Sequence, residues 1–134
     1  MKANIIFFTT SGNTEAMADT LKSSLEAKGY DVSIFNDEQG EDFADADLLL
    51  FGSPAQGTEE VDDTVIMPTI DKLDLNGKKV FMFGSYGWGG GEYMENWKEI
   101  MKDKGAILAA EPVVCLEAPD DSVDEELKAA VENF

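Results

Sequence analysis

The chain has 134 residues, enough for one hydrophobic core, and we expect a single domain spanning residues 1–134 without a separate substrate domain. It contains 28 Asp and Glu residues against ten Lys and no Arg, so its formal net charge is −18. This charge disfavours binding to nucleic acid or to anionic membrane surfaces and indicates partners with basic surfaces. Hydrophobic residues make up 43% of the chain, which is typical of a globular protein rather than a disordered one.

The single cysteine and the absence of long apolar segments bear on where the protein works. Cys115 lies in an apolar run and has no second cysteine to pair with, so we expect a buried structural thiol and a reducing compartment. No secretory signal precedes the first apolar run, and no apolar segment approaches the ~20 residues of a membrane-spanning helix. We therefore expect a cytoplasmic location.

Five short apolar runs predict β-strands. They cover residues 3–8, 32–35, 48–51, 80–83 and 113–116, and each has the composition of a strand that is buried on both faces. Two helices with clear end signals lie among them. The first carries Met17, Leu21 and Leu25 four residues apart and ends near Gly29. The second is shorter and begins near Pro68, because proline is tolerated in the first turn of a helix.

Two further helices complete the alternating pattern. One aligns Tyr93, Trp97 and Met101 on an apolar face, and the other follows a predicted capping box formed by Ser122 and Glu125. Strands and helices that alternate along the chain with short connections predict an α/β fold. In that fold a doubly wound parallel sheet of five strands lies between two layers of helices.

The loop after the first strand carries the clearest chemical signal. Ligands of an open parallel sheet bind beyond the carboxyl ends of its strands, where the strand order reverses. This loop places four hydroxyls and one amide side chain at the start of the first helix: Thr9, Thr10, Ser11, Gly12, Asn13 and Thr14. Amides at a helix start are unpaired within the helix and carry partial positive charge, so the loop predicts a phosphate site built from neutral donors. Helix capping alone would need one such residue.

Two glycine-containing loops follow the third and fourth strands. In residues 53–60, Gly57 can adopt backbone angles that other residues avoid. In residues 84–91, Trp88 lies in a segment too rich in glycine to bury it, which indicates stacking on a flat ligand. The alternatives are an ordinary surface turn for the first of these loops and packing of Trp88 against a neighbouring loop for the second.

Together these motifs resemble the flavodoxins of the short-chain, clostridial type over essentially the whole chain. The phosphate loop of that family has a hydroxyl residue, any residue, a hydroxyl residue and then Gly-Asn-Thr, and residues 9–14 match it. Residues 84–89 are similar to its second flavin loop. The resemblance implies the flavodoxin-like strand order 2-1-3-4-5, bound flavin mononucleotide (FMN) and an electron carrier rather than an enzyme.

The resemblance also implies a role for each site residue. Four side chains would bind the phosphate, namely those of Thr9, Ser11, Asn13 and Thr14, with the backbone amides of Thr10 and Gly12. Trp88 would stack on the flavin ring, the Gly57 carbonyl would face its central-ring nitrogen, and Glu59 would bond its pyrimidine edge. The other residues lining the site would be Ser53, Pro54, Ala55, Gln56, Thr58, Ser85, Tyr86, Gly87 and Gly89. Gln56 stands where close relatives often carry methionine.

The implied mechanism is transfer of single electrons by the flavin. The chain has no His and one Cys, so acid–base catalysis by imidazole is excluded and nucleophilic catalysis has little support. A hydrogen bond to Gly57 would stabilise the semiquinone, whereas the hydroquinone would be destabilised beside an uncompensated phosphate in a protein of charge −18. We predict a low-potential monomeric carrier that cycles between these two states and meets basic redox partners through acidic residues 37–47, 59–63 and 117–126.

Other classes of protein share this fold. A small flavin-dependent NAD(P)H or quinone reductase would need a second pocket, and the lack of Arg together with the short loops argues against one. A response-regulator receiver needs an acidic pair after the first strand, and a low-molecular-weight phosphatase needs a cysteine there. Thr9 and Thr10 occupy these positions, so both classes are excluded.

Overall fold

The computed structural model describes residues 1–9, 12–36, 45–54, 61–62, 64–86, 92–116 and 118–134, which form six strands and four helices. The strands are β1 (Lys2–Phe7), β2 (Asp31–Asn36), β3 (Leu48–Gly52), β4 (Lys79–Tyr86), β5 (Ile107–Leu108) and β6 (Val113–Leu116). The helices are α1 (Asn13–Ala27), α2 (Ile66–Lys72), α3 (Glu92–Asp103) and α4 (Asp121–Glu132).

These strands form one parallel sheet in the order β2-β1-β3-β4, and both β5 and β6 pair with β4. The register places Ala3 of β1 opposite Val32 of β2 on one side and opposite Leu48 of β3 on the other. The fifth position of the sheet therefore lies beyond β4. The α/β class and the strand order 2-1-3-4-5 are confirmed.

Two short strands share the fifth position, where the sequence predicted one continuous strand. β5 pairs with the first residues of β4, and β6 pairs with its last residues. The Ala109 N–H still donates to the Val80 carbonyl at 2.8 Å, but Pro112 has no N–H to donate. The chain therefore leaves the ladder between β5 and β6, and the predicted strand at residues 113–116 corresponds to β6.

The sheet lies between two layers of helices, each with its own core. Ile5 and Leu50 face one side of the sheet, where their core is completed by residues of α1 and α4. The neighbouring residues Ile6 and Leu49 face the other side, among residues of α2 and α3. Alternation of side chains across the central strands thus produces the three-layer architecture.

Burial differs between the central and the outer strands. Every residue of β3 is buried, β1 is buried from its second residue onward, and β4 is buried from its second residue to Ser85. The expectation of burial on both faces is wrong for β2, which is at most partly buried, and for β6, where Leu116 is 60% exposed. Among the described residues, each of these strands pairs with a neighbouring strand on one side only, so less of its own surface is covered. Cys115 of β6 is buried as expected, at 4% exposure.

The helix ends agree with the sequence signals except at α4. α1 ends ahead of Gly29, whose φ is 98°, and Pro68 lies in the first turn of α2. The capping box predicted from Ser122 is wrong, because the Asp120 carboxylate accepts the hydrogen bond from the Val123 amide at 3.0 Å. Both residue types cap helices, and here the extended backbone lies at Asp120. In the described parts of the chain, the helices are too short or too polar to cross a membrane.

Candidate ligand-binding site

Three chain segments meet at one edge of the sheet, the edge at which its parallel strands end, called here the carboxyl edge. β1 and β3 are neighbours, yet the helices that follow them, α1 and α2, belong to cores on opposite faces. This arrangement is the topological switch point, where open α/β sheets bind ligands. Thr9 follows β1 at this edge, Ser53 and Pro54 follow β3, and Ser85 and Tyr86 end β4.

The structure describes eight of the predicted site residues and brings all eight to the carboxyl edge. They are Thr9, Gly12, Asn13, Thr14, Ser53, Pro54, Ser85 and Tyr86. The others lie outside the described residues, so their assignments stay predictions. They are Thr10, Ser11, Ala55, Gln56, Gly57, Thr58, Glu59, Gly87, Trp88 and Gly89.

Gly12 forms a tight turn between β1 and α1. Its φ of 87° lies in the left-handed region that favours glycine. The Gly12 N–H donates to the Thr9 hydroxyl oxygen at 3.0 Å, and its carbonyl accepts the first helical hydrogen bond, from Ala16. Apart from its two chain neighbours, no described residue has an atom within 4 Å of the place that a Cβ of Gly12 would take, so the described part of the chain leaves space beside this turn.

The start of α1 is suited to an anion. Gly12 occupies the N-cap position and has no side chain with which to cap the helix, whereas α4 is capped by the Asp120 carboxylate. The N–H groups of the first turn of α1 have no partner within the helix and lie at the positive end of its dipole. The sequence has no lysine in residues 8–15, so a phosphate here would be bound by amides and hydroxyls.

Thr14 connects the first loop to the end of β4. Its side chain is fully buried, and its Oγ1 lies 3.5 Å from the Oγ of Ser85, which is also buried. Either hydroxyl can be the donor. Two residues predicted from separate motifs, 71 positions apart in the chain, are therefore in contact.

Ser53 fixes the start of the loop that follows β3. Its amide donates to the Phe83 carbonyl at 3.1 Å, which continues the pairing of β3 with β4. Its hydroxyl donates to the Pro54 carbonyl at 2.9 Å and accepts from the Asp62 amide at 2.8 Å. Through these bonds Ser53 links the end of β3 to Asp62, nine residues further along the chain.

Asp62 is a buried carboxylate that the sequence analysis did not select. It is 2% exposed and accepts hydrogen bonds from the Val65 amide at 2.7 Å, the Ile66 amide at 2.9 Å and the Thr64 hydroxyl at 2.7 Å. Burial alone would raise the pKa of Asp62. The hydrogen bonds from the Thr64 hydroxyl and from the amides at the start of α2 outweigh burial and lower this pKa below 3.8. A short acidic residue just ahead of a predicted helix was the available signal.

Tyr93 is a second residue at this edge that the sequence analysis did not select, since it was assigned to core packing alone. Its hydroxyl is buried and donates to the Ser53 carbonyl at 2.9 Å, with the Ser85 carbonyl at 3.4 Å. The hydroxyl thus lies where β3 and β4 both end. Spacing along α3 showed the apolar face but gave no indication of this polar contact.

These features define the class of protein. It is a doubly wound α/β protein with an open turn, an uncapped helix start and neighbouring hydroxyls at its switch point, and this donor set fits a phosphate ester bound without cations. The flavin phosphate of FMN belongs to this chemical class.

Comparisons with known proteins give the family. A family model described as flavodoxin matches residues 5–134. The flavodoxin of Megasphaera elsdenii is 43% identical over 122 residues, and that of Clostridium beijerinckii is 32% identical over 122 residues; each match covers 88% of both chains. The solution structure of two-electron reduced Megasphaera elsdenii flavodoxin is similar with a TM-score of 0.85 and 39% identity, covering 97% of this chain and 98% of that one.

The chain belongs to the flavodoxin family and is of the short-chain type. It is an FMN-binding electron carrier that transfers electrons to redox partner proteins, and it is not an enzyme. The resemblance stated from residues 9–14 and 84–89 is therefore confirmed at the level of family and cofactor. The alternative of a small flavin-dependent reductase is not favoured by these relatives.

Proposed function

We propose that this flavodoxin is a low-potential carrier of single electrons between redox enzymes and that FMN binds at the switch point. The phosphate would lie at the start of α1, and the flavin ring would lie between the loops that follow β3 and β4. The observation that carries this site is the meeting of the Gly12 turn, Thr14 and Ser85 at the carboxyl edge. The residues named in the sequence analysis remain the proposed cofactor-binding set.

Bound FMN supplies the one-electron chemistry, and the chain supplies its binding and its surroundings. The amides of Asn13 and Thr14 in the first turn of α1 would donate to phosphate oxygens, and the partly buried Asn13 side chain would add a neutral donor. The Thr14 hydroxyl is engaged by Ser85, so it would support the phosphate loop. Neutral donors leave the charge of the phosphate uncompensated.

The distribution of charge supports basic partners. All ten lysines lie away from the proposed site. Seven lie at the opposite edge of the sheet, where the strands begin: Lys2, Lys28, Lys72, Lys78, Lys79, Lys102 and Lys104. Lys22, Lys98 and Lys128 lie within α1, α3 and α4. Acidic residues occupy the helix starts at the carboxyl edge, among them Glu15, Glu92 and Asp121. A basic protein would therefore be attracted to the edge where the flavin is proposed to bind.

The same charges support a low potential. An electron added at the carboxyl edge enters a protein of net charge −18 with no lysine in residues 8–15, 53–65 or 84–92. Each ~1.4 kcal/mol by which such repulsion opposes reduction lowers a one-electron potential by about 59 mV. We also propose that the carrier works as a single-domain monomer in the cytoplasm, in keeping with its one buried cysteine.

Anaerobic reductive titration of the FMN-loaded protein tests the proposed function. We expect one FMN per chain and two separate one-electron steps, the second at a potential well below that of free FMN. Reduction in a single two-electron step would contradict the one-electron carrier.

A pair of asparagine variants tests the site. Asn13→Ala should weaken FMN binding. Asn133→Ala, at the exposed C-terminal end of α4, should leave FMN binding unchanged. Equal affinities in the two variants would contradict the placement of the phosphate.

A further inference from the structure

One buried hydroxyl contacts the backbone of two strands at the carboxyl edge. Tyr93, in the first turn of α3, is 1% exposed, and its Oη lies 2.9 Å from the Ser53 carbonyl oxygen and 3.4 Å from that of Ser85. Ser53 directly follows β3, and Ser85 is the penultimate residue of β4. These are the points at which the two proposed ring-binding loops leave the sheet.

Gly84 is packed closely against this hydroxyl. A Cβ at Gly84 would collide with the Ser53 carbonyl oxygen and with the Tyr93 hydroxyl. The requirement for glycine at this position therefore comes from the close approach of β3, β4 and α3. The absence of a side chain at Gly84 lets the Tyr93 hydroxyl reach the Ser53 carbonyl.

The contact is energetically relevant because the Ser53 carbonyl is buried. Loss of the donor to a buried carbonyl lowers the free energy of unfolding, since water cannot replace the lost hydrogen bond. Replacing tyrosine by phenylalanine at position 93 would keep the ring in the core around Trp97 and Met94 and remove only the hydroxyl. The backbone at Ser53 would then keep the bond from its amide to the Phe83 carbonyl and lose the restraint on its own carbonyl.

We infer that Tyr93 is a positioning residue for the flavin ring. Its hydroxyl sets the spacing between the backbones of Ser53 and Ser85, the residues from which the two proposed ring-binding loops leave the sheet. The inference rests on the proposed function, because it needs the ring to lie between these loops. Tyr93 contacts the carbonyl of Ser85, whereas Thr14 of the phosphate loop contacts the Ser85 hydroxyl, so we expect the effect of Tyr93 to fall on the ring rather than on the phosphate.

Flavin binding by Tyr93→Phe in the full chain tests this role. We expect the dissociation constants for FMN and for riboflavin to rise by a similar factor of about ten, which corresponds to ~1.4 kcal/mol. We also expect the one-electron potentials of bound FMN to shift, while the dissociation constant for inorganic phosphate stays unchanged. Tyr30→Phe is the matched control, since Tyr30 is 9% exposed and precedes β2 at the opposite edge of the sheet. It should leave all of these values unchanged.

The outcomes separate this inference from the proposed function. If the unmodified chain binds FMN and Tyr93→Phe binds both flavins with unchanged affinity and potentials, the positioning role is overturned and the carrier function stands. Weaker binding of FMN but not of riboflavin would overturn it too, because the effect would then lie at the phosphate. A chain that binds no FMN at all would overturn both.

A measurement on the unmodified protein covers the case in which Tyr93→Phe does not fold. In the FMN-loaded protein, the Tyr93 hydroxyl proton should exchange with water slowly enough to be seen by NMR. Exchange too fast to observe would show that the hydroxyl does not hold the two backbones and would overturn the inference.

Discussion

The amide of Asp62 donates a hydrogen bond to the hydroxyl oxygen of Ser53 at 2.8 Å, and this contact joins the two ends of the connection between β3 and α2. The two residues are nine positions apart in the chain. The Asp62 carboxylate also accepts hydrogen bonds from the amides of Val65 and Ile66 at the start of α2. Asp62 therefore holds both the end of this connection and the start of α2.

Stability at low pH should depend on Asp62. Its pKa is lowered below 3.8 in the folded chain, so its stabilisation is present above 3.8 and is lost as the pH falls through the folded pKa. We expect Asp62→Ala to cost about 1–3 kcal/mol at pH 7, because buried amides lose a charged acceptor. Urea unfolding at pH 7 and pH 3 measures this, and the cost should be smaller at pH 3.

Asp103→Ala is the control for this measurement, since Asp103 is exposed at the end of α3. Its effect should stay within about 0.5 kcal/mol. A cost of Asp62→Ala that is the same at both pH values would show that its carboxylate is not the source of the stabilisation.

Gly12→Ala should affect both stability and cofactor binding. The φ of Gly12 is 87°, and an alanine forced into this region costs about 1 kcal/mol. Gly29→Ala is a matched variant, because Gly29 has a φ of 98° and likewise no described atom within 4 Å of its Cβ position. Thermal unfolding should show similar losses for both variants. FMN titration should show weaker binding for Gly12→Ala alone, and equal FMN affinity in the two would contradict the placement of the phosphate loop.

Cys115 should be unreactive in the folded protein. Burial, and then the negative charges of Asp120 and Glu126, raise the pKa of its thiol to about 11. At pH 8 this leaves about one thiol in a thousand as the reactive thiolate. We expect iodoacetamide, followed by mass spectrometry, to label the native chain slowly and the urea-unfolded chain rapidly. Equal labelling rates for the two states would contradict the burial of this thiol.

Electron transfer to a basic partner should slow as salt is added. The attraction of the acidic carboxyl edge for a positive protein is screened over about 10 Å at 0.1 M ionic strength. Stopped-flow oxidation of the reduced carrier by a basic haem protein should show a second-order rate that falls with ionic strength. Oxidation by a neutral small molecule is the control and should change little. A rate to the basic protein that rises with salt would contradict the proposed steering.

The sequence predicted those parts of the fold that depend on local pattern. The apolar runs of β1, β3 and β4 are long enough to stand out, and Gly29 marks the end of α1 through its backbone requirement. β5 has two residues, and its pairing depends on β4 rather than on its own composition. The cap of α4 could not be chosen from sequence, because Asp120 and Ser122 both have suitable side chains.

Part of the candidate site could likewise be predicted from the sequence, and part of it could not. The spacing of residues 9–14 predicted a ligand loop, and the structure brings Gly12 and Thr14 to the carboxyl edge beside Ser85. The hydrogen bond from Tyr93 to Ser53 at this edge could not be predicted, because it spans 40 residues and forms only once β3, β4 and α3 have packed. The assignments of Gly57, Glu59 and Trp88 stay predictions that FMN titration of their variants would test.

The break between β5 and β6 has a consequence for how the protein behaves at high concentration. An uninterrupted edge strand offers a row of free N–H and C=O groups to which another chain can add a strand, as in aggregation. Here the strands at this edge have two and four residues, and Pro112 interrupts the row between them. The edge beyond β4 is therefore a poor template for strand addition, and a net charge of −18 further opposes contact between two copies of the chain.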